Sequence, residues 1–307
     1  MKKILVATEK PFSRLAVDKI RNVVEEAGYA LQLLEKYSSE AELLAAVSDA
    51  DALIVRSDIV SAKVVEAAKK MKIVVRAGAG YDNLDLAACS AAGVVAMNTP
   101  GQNSNAVAEL VFGLLVFGLR KQYSGASGSE LRGSSIGIHA YGNVGRYVAK
   151  IAAGFGMTIY AFDPFVSADK MKADGVIPVA TVEELYRKSR IVSLHIPATD
   201  ATKKSINKSL LSLMPEGAVL VNTARKEVID EEELFKVMEE RPDFIYLSDI
   251  EPSNAALFKE KCQGRCFFTP KKMGAQTEEA NINAGVAAAQ QIIAFFANGD
   301  ETFRVNR

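Results

Sequence analysis

The segment "SIGIHAYGNVGRYVAKIAAGFG", residues 135–156, reads as a buried strand, a glycine-containing turn and a helix in direct succession. A loop that binds the pyrophosphate of a dinucleotide has the pattern G-x-G-x-x-G at such a turn. Ala140, Gly142 and Gly145 occupy its three positions, so alanine replaces the first glycine. The second glycine allows the backbone to approach the phosphates, and the helix N-terminus favours their negative charge. We therefore predict a dinucleotide site here.

The next strand, "TIYAFD", ends in Asp163, 21 residues after Gly142 (163 − 142). An acidic side chain at this place accepts hydrogen bonds from the ribose hydroxyls of NAD, and it repels the additional phosphate of NADP. The sequence therefore predicts NAD as the cofactor. His139, directly before the turn, is expected to be packed or to border the cofactor.

Short apolar strands alternate with helices along the chain, which is typical of a doubly wound α/β architecture with parallel sheets. We predict eleven strands: "KILVAT", "LQLLEK", "ALIVRS", "KIVVRAG", "VVAMN", "SIGIHA", "TIYAFD", "IVSLHI", "AVLVNT", "FIYLSD" and "CFFT". Eleven strands are too many for one sheet, and the turn-rich segment 97–105 marks a division. The final helix, about 277–298, is expected to return to the first domain. We predict one domain from residues 1–98 and 277–307, and another from residues 99–276.

The helix over about 103–121 is apolar almost all round, so it is expected to be buried on every side. Two explanations remain open at this point. The helix is either covered between the two domains or forms the interface of a homodimer.

The composition excludes several classes of protein. Lysine plus arginine and aspartate plus glutamate number 37 each, so no net charge draws the chain to nucleic acid or to a membrane surface. No apolar run approaches the roughly 18 residues of a membrane span. The three cysteines and two histidines show no metal-ligand spacing, so we expect no metal site, and free thiols favour the cytoplasm.

Six stretches, in order along the chain, resemble the D-2-hydroxyacid dehydrogenase family. They are "VRAGAGYDNLD" (75–85), "NTPGQNSNAVAE" (98–109), "IGIHAYGNVG" (136–145), "SLHIPAT" (193–199), "VNTARKEVIDEEEL" (221–234) and "FTPKKMGAQT" (268–277). The resemblance implies a Rossmann NAD-binding domain inserted into a flavodoxin-like catalytic domain. It implies hydride transfer between C2 of a hydroxy acid and the nicotinamide.

Within the family, the resemblance implies NAD-dependent oxidation of D-3-phosphoglycerate to 3-phosphohydroxypyruvate, the first step of serine biosynthesis. A hydroxypyruvate or glyoxylate reductase and a non-catalytic, NAD-sensing corepressor are the alternatives. Only "GDETFRVNR" follows the last helix, so we expect no separate regulatory domain and no allosteric inhibition by serine.

The family chemistry uses an arginine, a glutamate and a histidine. Arg225 matches the arginine, whose planar guanidinium suits a bidentate grip on the substrate carboxylate and carbonyl. Glu251 resembles the glutamate, although the spacing from Asp249 is shorter than usual in the family. The histidine that follows "TP" is absent, and Lys271 and Lys272 stand there instead.

One lysine of this pair is expected to replace the histidine as the acid and base. Counting from Pro270 favours Lys271, whereas counting back from Gly274 favours Lys272, and two solvated lysines are the alternative. A base must be neutral, so the ordinary lysine pKa of ~10.4 must be lowered, by burial or by a cation such as Arg225.

The resemblance also assigns binding residues. Cofactor contacts are expected at Gly142, Asn143, Val144, Gly145, Asp163, His195, Ile196, Thr202, Thr223, Ala224, Asp249 and Gly274. Asp249 matches an acid near the nicotinamide amide. Substrate contacts are expected at Arg56, Ser57, Arg76, Gly78, Ala79, Gly80 and Asn103. The amides of the 78–80 turn would bind the carboxylate, and two nearby arginines suit a phosphate, although Arg56 could instead support a domain interface.

Overall fold

In the computed structural model, which describes residues 1–306, the chain divides into two compact units. The first unit comprises Met1–Asn103 and the residues from Gln276 onward, and the second comprises Ser104–Ala275. The divisions expected from the sequence lay after residues 98 and 276. The first division falls later because the turn at Pro100 and Gly101 stays with the preceding strand, and the next helix begins only at Ser104.

The first unit is a five-stranded sheet with helices. Its strands are β1 (Lys3–Thr8), β2 (Ala30–Glu35), β3 (Ala52–Val55), β4 (Ile73–Arg76) and β5 (Val95–Asn98). Its helices are α1 (Arg14–Glu26), α2 (Glu40–Val47), α3 (Ala62–Ala67), α4 (Leu86–Ala91) and α12 (Glu278–Asn298). The strands are parallel in the order β2-β1-β3-β4-β5, which is the flavodoxin-like order.

The second unit is a seven-stranded parallel sheet. Its strands are β6 (Ser135–His139), β7 (Thr158–Phe162), β8 (Ile177–Pro178), β9 (Ile191–Leu194), β10 (Val219–Asn222), β11 (Ile245–Ser248) and β12 (Cys266–Phe268). Its α-helices are α5 (Ser104–Leu119), α6 (Asn143–Gly154), α7 (Ala168–Ala173), α8 (Val182–Lys188), α9 (Lys208–Leu211), α10 (Glu231–Glu240) and α11 (Ala255–Lys261). Short 3-10 helices lie at Lys121–Tyr123 and Lys226–Val228.

The order in the second sheet is β12-β11-β10-β9-β6-β7-β8, which is the Rossmann order with a reversal between β6 and β9. The predicted fold class is therefore confirmed, and all eleven predicted strands are present. The sequence missed β8, because two residues show no periodicity. All carboxyl ends of this sheet lie along one edge, and the loops that follow β6, β7, β9, β10, β11 and β12 start there.

The first unit combines both ends of the chain because its last helix, α12, packs against its first helix, α1. Ser13 caps α1, since its Oγ accepts a hydrogen bond from the Ala16 amide. Thr277 caps α12 in the same way through the Ala280 amide. The two helices pack together, and a Cβ on Gly285 would lie 2.7 Å from Ile20 Cδ1. The small residues of α12 therefore let it approach α1 closely.

The last described residues complete the same unit. The Asn306 side chain accepts from the Ala96 amide and donates to the Val94 carbonyl, both at 2.9 Å. Arg304 forms an isolated bridge with Met97. The edge strand β5 is thus held by residues more than 200 positions later in the chain.

The apolar helix α5 lies within the second unit. It packs against α6 and against β10, β11 and β12. Gly118 faces Leu247, and a Cβ there would come within 2.8 Å of that side chain. Packing inside its own unit therefore accounts for the buried residues of α5, and the homodimer expected through this helix stays a prediction.

The cysteines and the membrane expectation can be checked directly. Cys89, Cys262 and Cys266 are free and buried. Within residues 1–306, no group of side chains has a metal-ligand arrangement. The same residues contain no helix whose length and apolar character together would let it cross a bilayer.

Candidate active site

The turn between β6 and α6 contains the three positions of the glycine pattern. Ala140 has a φ of 77°, in the left-handed region that favours glycine, at a cost of about 1–2 kcal/mol. Gly142 caps α6, and a Cβ there would meet no atom within 4 Å. A Cβ on Gly145 would lie 2.5 Å from the Ala140 carbonyl oxygen. Gly145 therefore serves close packing, whereas Gly142 leaves open space beside the helix N-terminus, where Asn143 and Val144 form the first turn.

Asp163 is held by the glycine-containing turn itself. Its Oδ2 accepts a hydrogen bond of 2.7 Å from the Tyr141 amide, and its Oδ1 accepts one of 2.8 Å from the Phe165 amide. The carboxylate is half-buried, and each oxygen keeps a lone pair. It can therefore still accept hydrogen bonds from a ribose.

A cleft of about 950 Å³ lies over this part of the sheet edge. Five of the predicted cofactor residues line it: Gly142, Asp163, His195, Ile196 and Thr202. Its volume is at the upper end of the range for small-molecule sites. The open space at Gly142 and the anchored carboxylate of Asp163 fit a dinucleotide.

The cleft also has walls that the sequence analysis did not identify. Phe165 is 95% exposed and lines it, as does Arg187. The available signal was an apolar ring placed directly after the acid and Pro164, where a surface loop normally carries polar residues.

The two histidines of the chain border this cleft and are neutral at pH 7. Burial lowers the pKa of His139 to about 4 and that of His195 to about 3. The Nδ1 of His139 lies 3.3 Å from the Tyr186 hydroxyl, and the Nε2 of His195 lies 2.9 Å from Ser193 Oγ. His195 lines the cleft together with His139, and its expected place beside the cofactor stays a prediction.

Arg225 and Lys272 meet at one main-chain atom. Arg225 Nη1 donates to the Ala224 carbonyl oxygen at 2.9 Å, and Lys272 Nζ donates to the same oxygen at 3.2 Å. Both lysines are exposed, but Lys271 makes no hydrogen bond to residues 1–306. The structure therefore places Lys272 beside Arg225. The sequence alone could not show which of the two lysines lies there.

Asn222, which the sequence analysis missed, shapes the turn that carries Arg225. Its buried side chain accepts from the Ala224 amide at 2.9 Å and donates to the Arg225 carbonyl at 3.0 Å. The sequence signal that could have revealed Asn222 is an asparagine at a strand end, since its side chain often hydrogen-bonds the backbone of the following turn. Next to it, the buried Thr223 hydroxyl has no hydrogen-bond partner in the structure. Such an orphaned group fits contact with a bound ligand.

Asp249 is fully buried at the end of β11. Its Oδ1 accepts from Thr269 Oγ1 at 2.9 Å and from the Met273 amide at 2.7 Å. Its Oδ2 accepts from the Gly274 amide at 2.7 Å. The carboxylate is therefore engaged by the segment that contains the two lysines.

Glu251 lies two residues beyond Asp249 and is exposed. Its carboxylate forms an ion pair of 2.6 Å with Lys259 on α11. Glu251 is therefore paired with a lysine of α11. This ion pair gives no support to the predicted catalytic role of Glu251.

In the first unit, Arg56 follows β3 and is enclosed by protein acceptors. Its guanidinium donates to the carbonyls of Lys10 and Pro11, both at 3.2 Å, and to Asn281 Oδ1. It also lies 5.0 Å from the centre of the Phe12 ring. Burial lowers the pKa of Arg56, which nevertheless stays charged. Ser57, the next residue, is exposed.

Arg76 and the 78–80 turn lie at the end of β4. Arg76 Nε donates to the Arg56 carbonyl at 2.9 Å. Its Nη1 lies where a Cβ on Gly78 would be, at 1.7 Å, and Gly78 has a φ of 148°. This φ favours glycine, and a side chain there would also have to displace the guanidinium. The turn thus places a cation directly against the amides expected to bind a carboxylate.

The same turn is anchored by the segment that follows β5. The Asn98 side chain donates to the Ala79 carbonyl at 2.6 Å, and the Thr99 amide donates to the Gly78 carbonyl at 2.9 Å. Both carbonyls are therefore tied down on one side of the turn. Asn103, the remaining predicted substrate residue, is half-buried at the end of this segment, directly before α5.

Comparison with known proteins gives concordant results. Residues 116–261 match the family described as D-isomer specific 2-hydroxyacid dehydrogenase, NAD binding domain. The chain is similar to a hydroxypyruvate reductase of Thermotoga maritima, with 30% identity over 95% of this chain and 98% of the relative. It is also similar to a D-3-phosphoglycerate dehydrogenase of Methanocaldococcus jannaschii, with 34% identity over 82% of this chain. That match covers 51% of the relative, so the chain spans about half the length of that dehydrogenase.

Among solved structures, the fold is similar to a 3-phosphoglycerate dehydrogenase of Entamoeba histolytica with bound NAD⁺. The TM-score is 0.86 at 46% identity, over 100% of this chain and 99% of the other. The structural similarity therefore extends over both units. The Entamoeba histolytica protein was solved with NAD⁺, the cofactor predicted for this chain.

Proposed function

Because the chain belongs to the D-isomer specific 2-hydroxyacid dehydrogenase family, we propose that it oxidises D-3-phosphoglycerate to 3-phosphohydroxypyruvate. The protein is an NAD-dependent oxidoreductase. The observation that carries the proposal is the meeting of Lys272 and Arg225 at the Ala224 carbonyl. When bound, NAD supplies the nicotinamide that accepts a hydride from C2 of the hydroxy acid.

Arg225 is proposed to hold the substrate. Its guanidinium is half-buried, and one of its five N–H groups is used by the Ala224 carbonyl. The remaining donors suit a bidentate grip on the carboxylate and the C2 oxygen of the substrate. The Asn222 side chain fixes the turn below it, so the guanidinium is oriented before the substrate arrives.

Lys272 is proposed to take the proton from the C2 hydroxyl. A neutral amine is the competent form for oxidation, and Nζ of Lys272 lies at the carbonyl that also binds Arg225. In the reductive direction the ammonium form donates the proton. Lys271 remains the alternative base, and it is the weaker candidate because only Lys272 of the two donates to the Ala224 carbonyl beside Arg225.

The substrate anions are proposed to bind in the first unit. The amides of Gly78, Ala79 and Gly80 suit the carboxylate, and Arg76 lies against that turn. Arg56, Ser57 and Asn103 are the further candidates for contact with the phosphate. A phosphorylated substrate is supported by Arg76 and by the activity named for the relatives of Methanocaldococcus jannaschii and Entamoeba histolytica.

Reduction of unphosphorylated hydroxypyruvate is the second candidate. It is favoured by the surroundings of Arg56, whose guanidinium already donates to three protein acceptors. If Arg56 binds no phosphate, Arg76 alone would have to select the phosphorylated acid.

The deciding experiment is a comparison of kcat/KM for D-3-phosphoglycerate and D-glycerate with NAD, and for the two matching keto acids with NADH. Preference for the phosphorylated pair by at least about 100-fold, some 3 kcal/mol, supports the proposal. A preference for the unphosphorylated pair supports the second candidate. Binding of NAD without turnover of any of the four acids would instead favour a cofactor-sensing protein.

The same proposal includes a reducing compartment, the cytoplasm. The support is that all three cysteines are free and buried, as is usual where thiols stay reduced. Burial also raises the pKa of Cys89 and of Cys266 to about 11, so neither is a reactive thiolate.

A further inference from the structure

The loop that carries the two lysines is closed by a single buried carboxylate. Asp249 accepts hydrogen bonds from Thr269 Oγ1, before the lysine pair, and from the amides of Met273 and Gly274, after it. All three contacts are between 2.7 and 2.9 Å. The side chain thus joins the two ends of the loop while Lys271 and Lys272 project from its middle.

The fit around this carboxylate leaves little freedom. A Cβ on Gly274 would lie 3.0 Å from Asp249 Oδ2 and 3.2 Å from Val107 Cγ2, so a side chain there would have to displace one of them by a few tenths of an ångström. Hydrogen bonds from backbone amides to an ionised carboxylate are shorter and stronger than neutral ones. The loop is therefore held in one conformation at both ends.

The backbone of Asp249 connects this loop to the turn of Arg225. The Asp249 amide donates to the Asn222 carbonyl at 2.9 Å, and the Asn222 side chain holds the Ala224 amide and the Arg225 carbonyl. One rigid connection therefore runs from Arg225 through Asn222 and Asp249 to Lys272.

We propose that Asp249 is a positioning residue for Lys272, acting through the 269–274 loop, and not chiefly a contact to the nicotinamide amide. The inference rests on the proposed function, in which Lys272 is the base. The Asp249 carboxylate sets where the Lys272 ammonium lies relative to the Ala224 carbonyl and Arg225. Two of the three donors bind Oδ1 and one binds Oδ2, so most of its accepting capacity is already used inside the loop.

The test is Asp249→Asn, which keeps the shape and leaves one accepting oxygen for three donors. Misplacement of the base by about 1 Å can lower a rate about 10²-fold, so we expect kcat to fall by that order. The Kd for NADH, measured by fluorescence titration, is expected to stay within about twofold, because no cofactor contact is lost. A rise in this Kd of tenfold with unchanged loop stability would instead assign Asp249 to the cofactor.

Loop stability has its own readout, which needs no substrate. Trypsin cleaves after Lys271 and Lys272, and cleavage of a folded protein reports local opening. Loss of charge-assisted hydrogen bonds is expected to accelerate cleavage at these two positions about tenfold or more in Asp249→Asn. Mass spectrometry of the products identifies the sites. Unchanged cleavage would overturn the proposal.

Two further variants keep the test decisive. Thr269→Val removes one neutral donor, so we expect the same changes in kcat and cleavage to a smaller degree, and it serves if Asp249→Asn fails to fold. The matched control is Asp243→Asn at the opposite edge of the sheet. Asp243 also accepts a backbone amide, that of Gly217 at 2.8 Å, and its variant is expected to keep kcat and the cleavage rate at 271–272.

A double-mutant cycle separates positioning from a general structural role. In a Lys272→Ala background, Asp249→Asn is expected to have little further effect on kcat, because the group it positions is absent. Additive losses would overturn the inference. Full turnover by Lys272→Ala would overturn the proposed role of lysine itself, whereas an inactive Lys272→Ala with a fully active Asp249→Asn overturns the positioning role alone.

Discussion

Arg56 in the first unit and Arg225 in the second both follow a parallel strand, yet their surroundings differ. Arg56 donates to two backbone carbonyls and to Asn281, and it lies over the Phe12 ring. Arg225 donates to one backbone carbonyl, and that carbonyl also receives Lys272. Position at a strand end therefore does not distinguish the two arginines, whereas the number of donors left unused by the protein does.

The largest effect is expected at Arg225. Arg225→Ala removes two charge-assisted hydrogen bonds to substrate, so kcat/KM should fall by about 10²–10⁴-fold with little change in stability. Steady-state kinetics and thermal unfolding together check this. Arg225→Lys, the control, is expected to recover only part of the loss, and full recovery would contradict a bidentate role.

The lysine pair gives the next largest difference. Lys272→Ala should lower the oxidation rate by about 10²–10⁴-fold, the usual contribution of a general base, whereas Lys271→Ala should change it little. Oxidation by the unaltered protein should also rise with pH as the amine becomes neutral, and this rise should flatten in Lys272→Ala. Equal losses in the two variants would show that the position of Nζ at the Ala224 carbonyl does not matter.

Arg56→Ala should affect the fold more than the chemistry. The variant leaves two carbonyls and the Asn281 side chain without their donor, so the free energy of unfolding should fall by about 2–3 kcal/mol. The change in KM should be similar for phosphorylated and unphosphorylated substrates. Urea unfolding and kinetics with both substrates are the measurements, and a loss confined to the phosphorylated acid would make Arg56 the phosphate ligand.

Both histidines lie in the second unit, so acid should weaken this unit first. The pKa values of about 4 and 3 lie below the ordinary 6.5, so the unfolded chain binds more protons between these values. The Asp163 carboxylate acts in the opposite direction on the pKa of His139 but is the smaller influence. Stability is therefore full above pH 6.5 and falls toward pH 4, by at most about 1.4 kcal/mol per pH unit for each histidine. His139→Phe should reduce that slope to about half in unfolding experiments between pH 6.5 and 4.

The smallest effect is expected at Ala140, in the glycine-containing turn of the second unit, which differs from the turn at Gly78 in the first. Gly78 has a φ of 148°, which favours glycine, and Ala140 occupies a left-handed conformation that glycine would adopt without strain. Ala140→Gly should leave the free energy of unfolding unchanged or raise it by up to about 1 kcal/mol, since relief of strain is partly offset by the entropy of glycine. Destabilisation beyond about 1 kcal/mol would show that the alanine methyl contributes packing.

The sequence predicted most of the fold because apolar periodicity and glycine spacing are local signals. It predicted the alternation of strands and helices, the return of the last helix and NAD as the cofactor, and the fold class and cofactor are confirmed. It did not find Asn222 or Asn98, because a buried polar residue is recognised by partners that only the folded backbone brings to it. The sequence left the choice between Lys271 and Lys272 open for the same reason, since it depends on how Asp249 closes a loop that begins 20 residues later (269 − 249).

The packing of α12 against α1, with β5 held by Asn306, has a consequence for synthesis on the ribosome. The second unit is one continuous segment and can close its core once residue 275 has emerged. The first unit begins to emerge earlier, but Ile20 and Phe12 cannot pack against α12 until Gly285 has been synthesised. The hydrogen bonds of the Ala96 amide and the Val94 carbonyl form only once Asn306 has been added. The order of folding is therefore expected to reverse the order of synthesis. Until the segment from Gln276 onward has emerged, the sheet of the first unit lacks part of its own core.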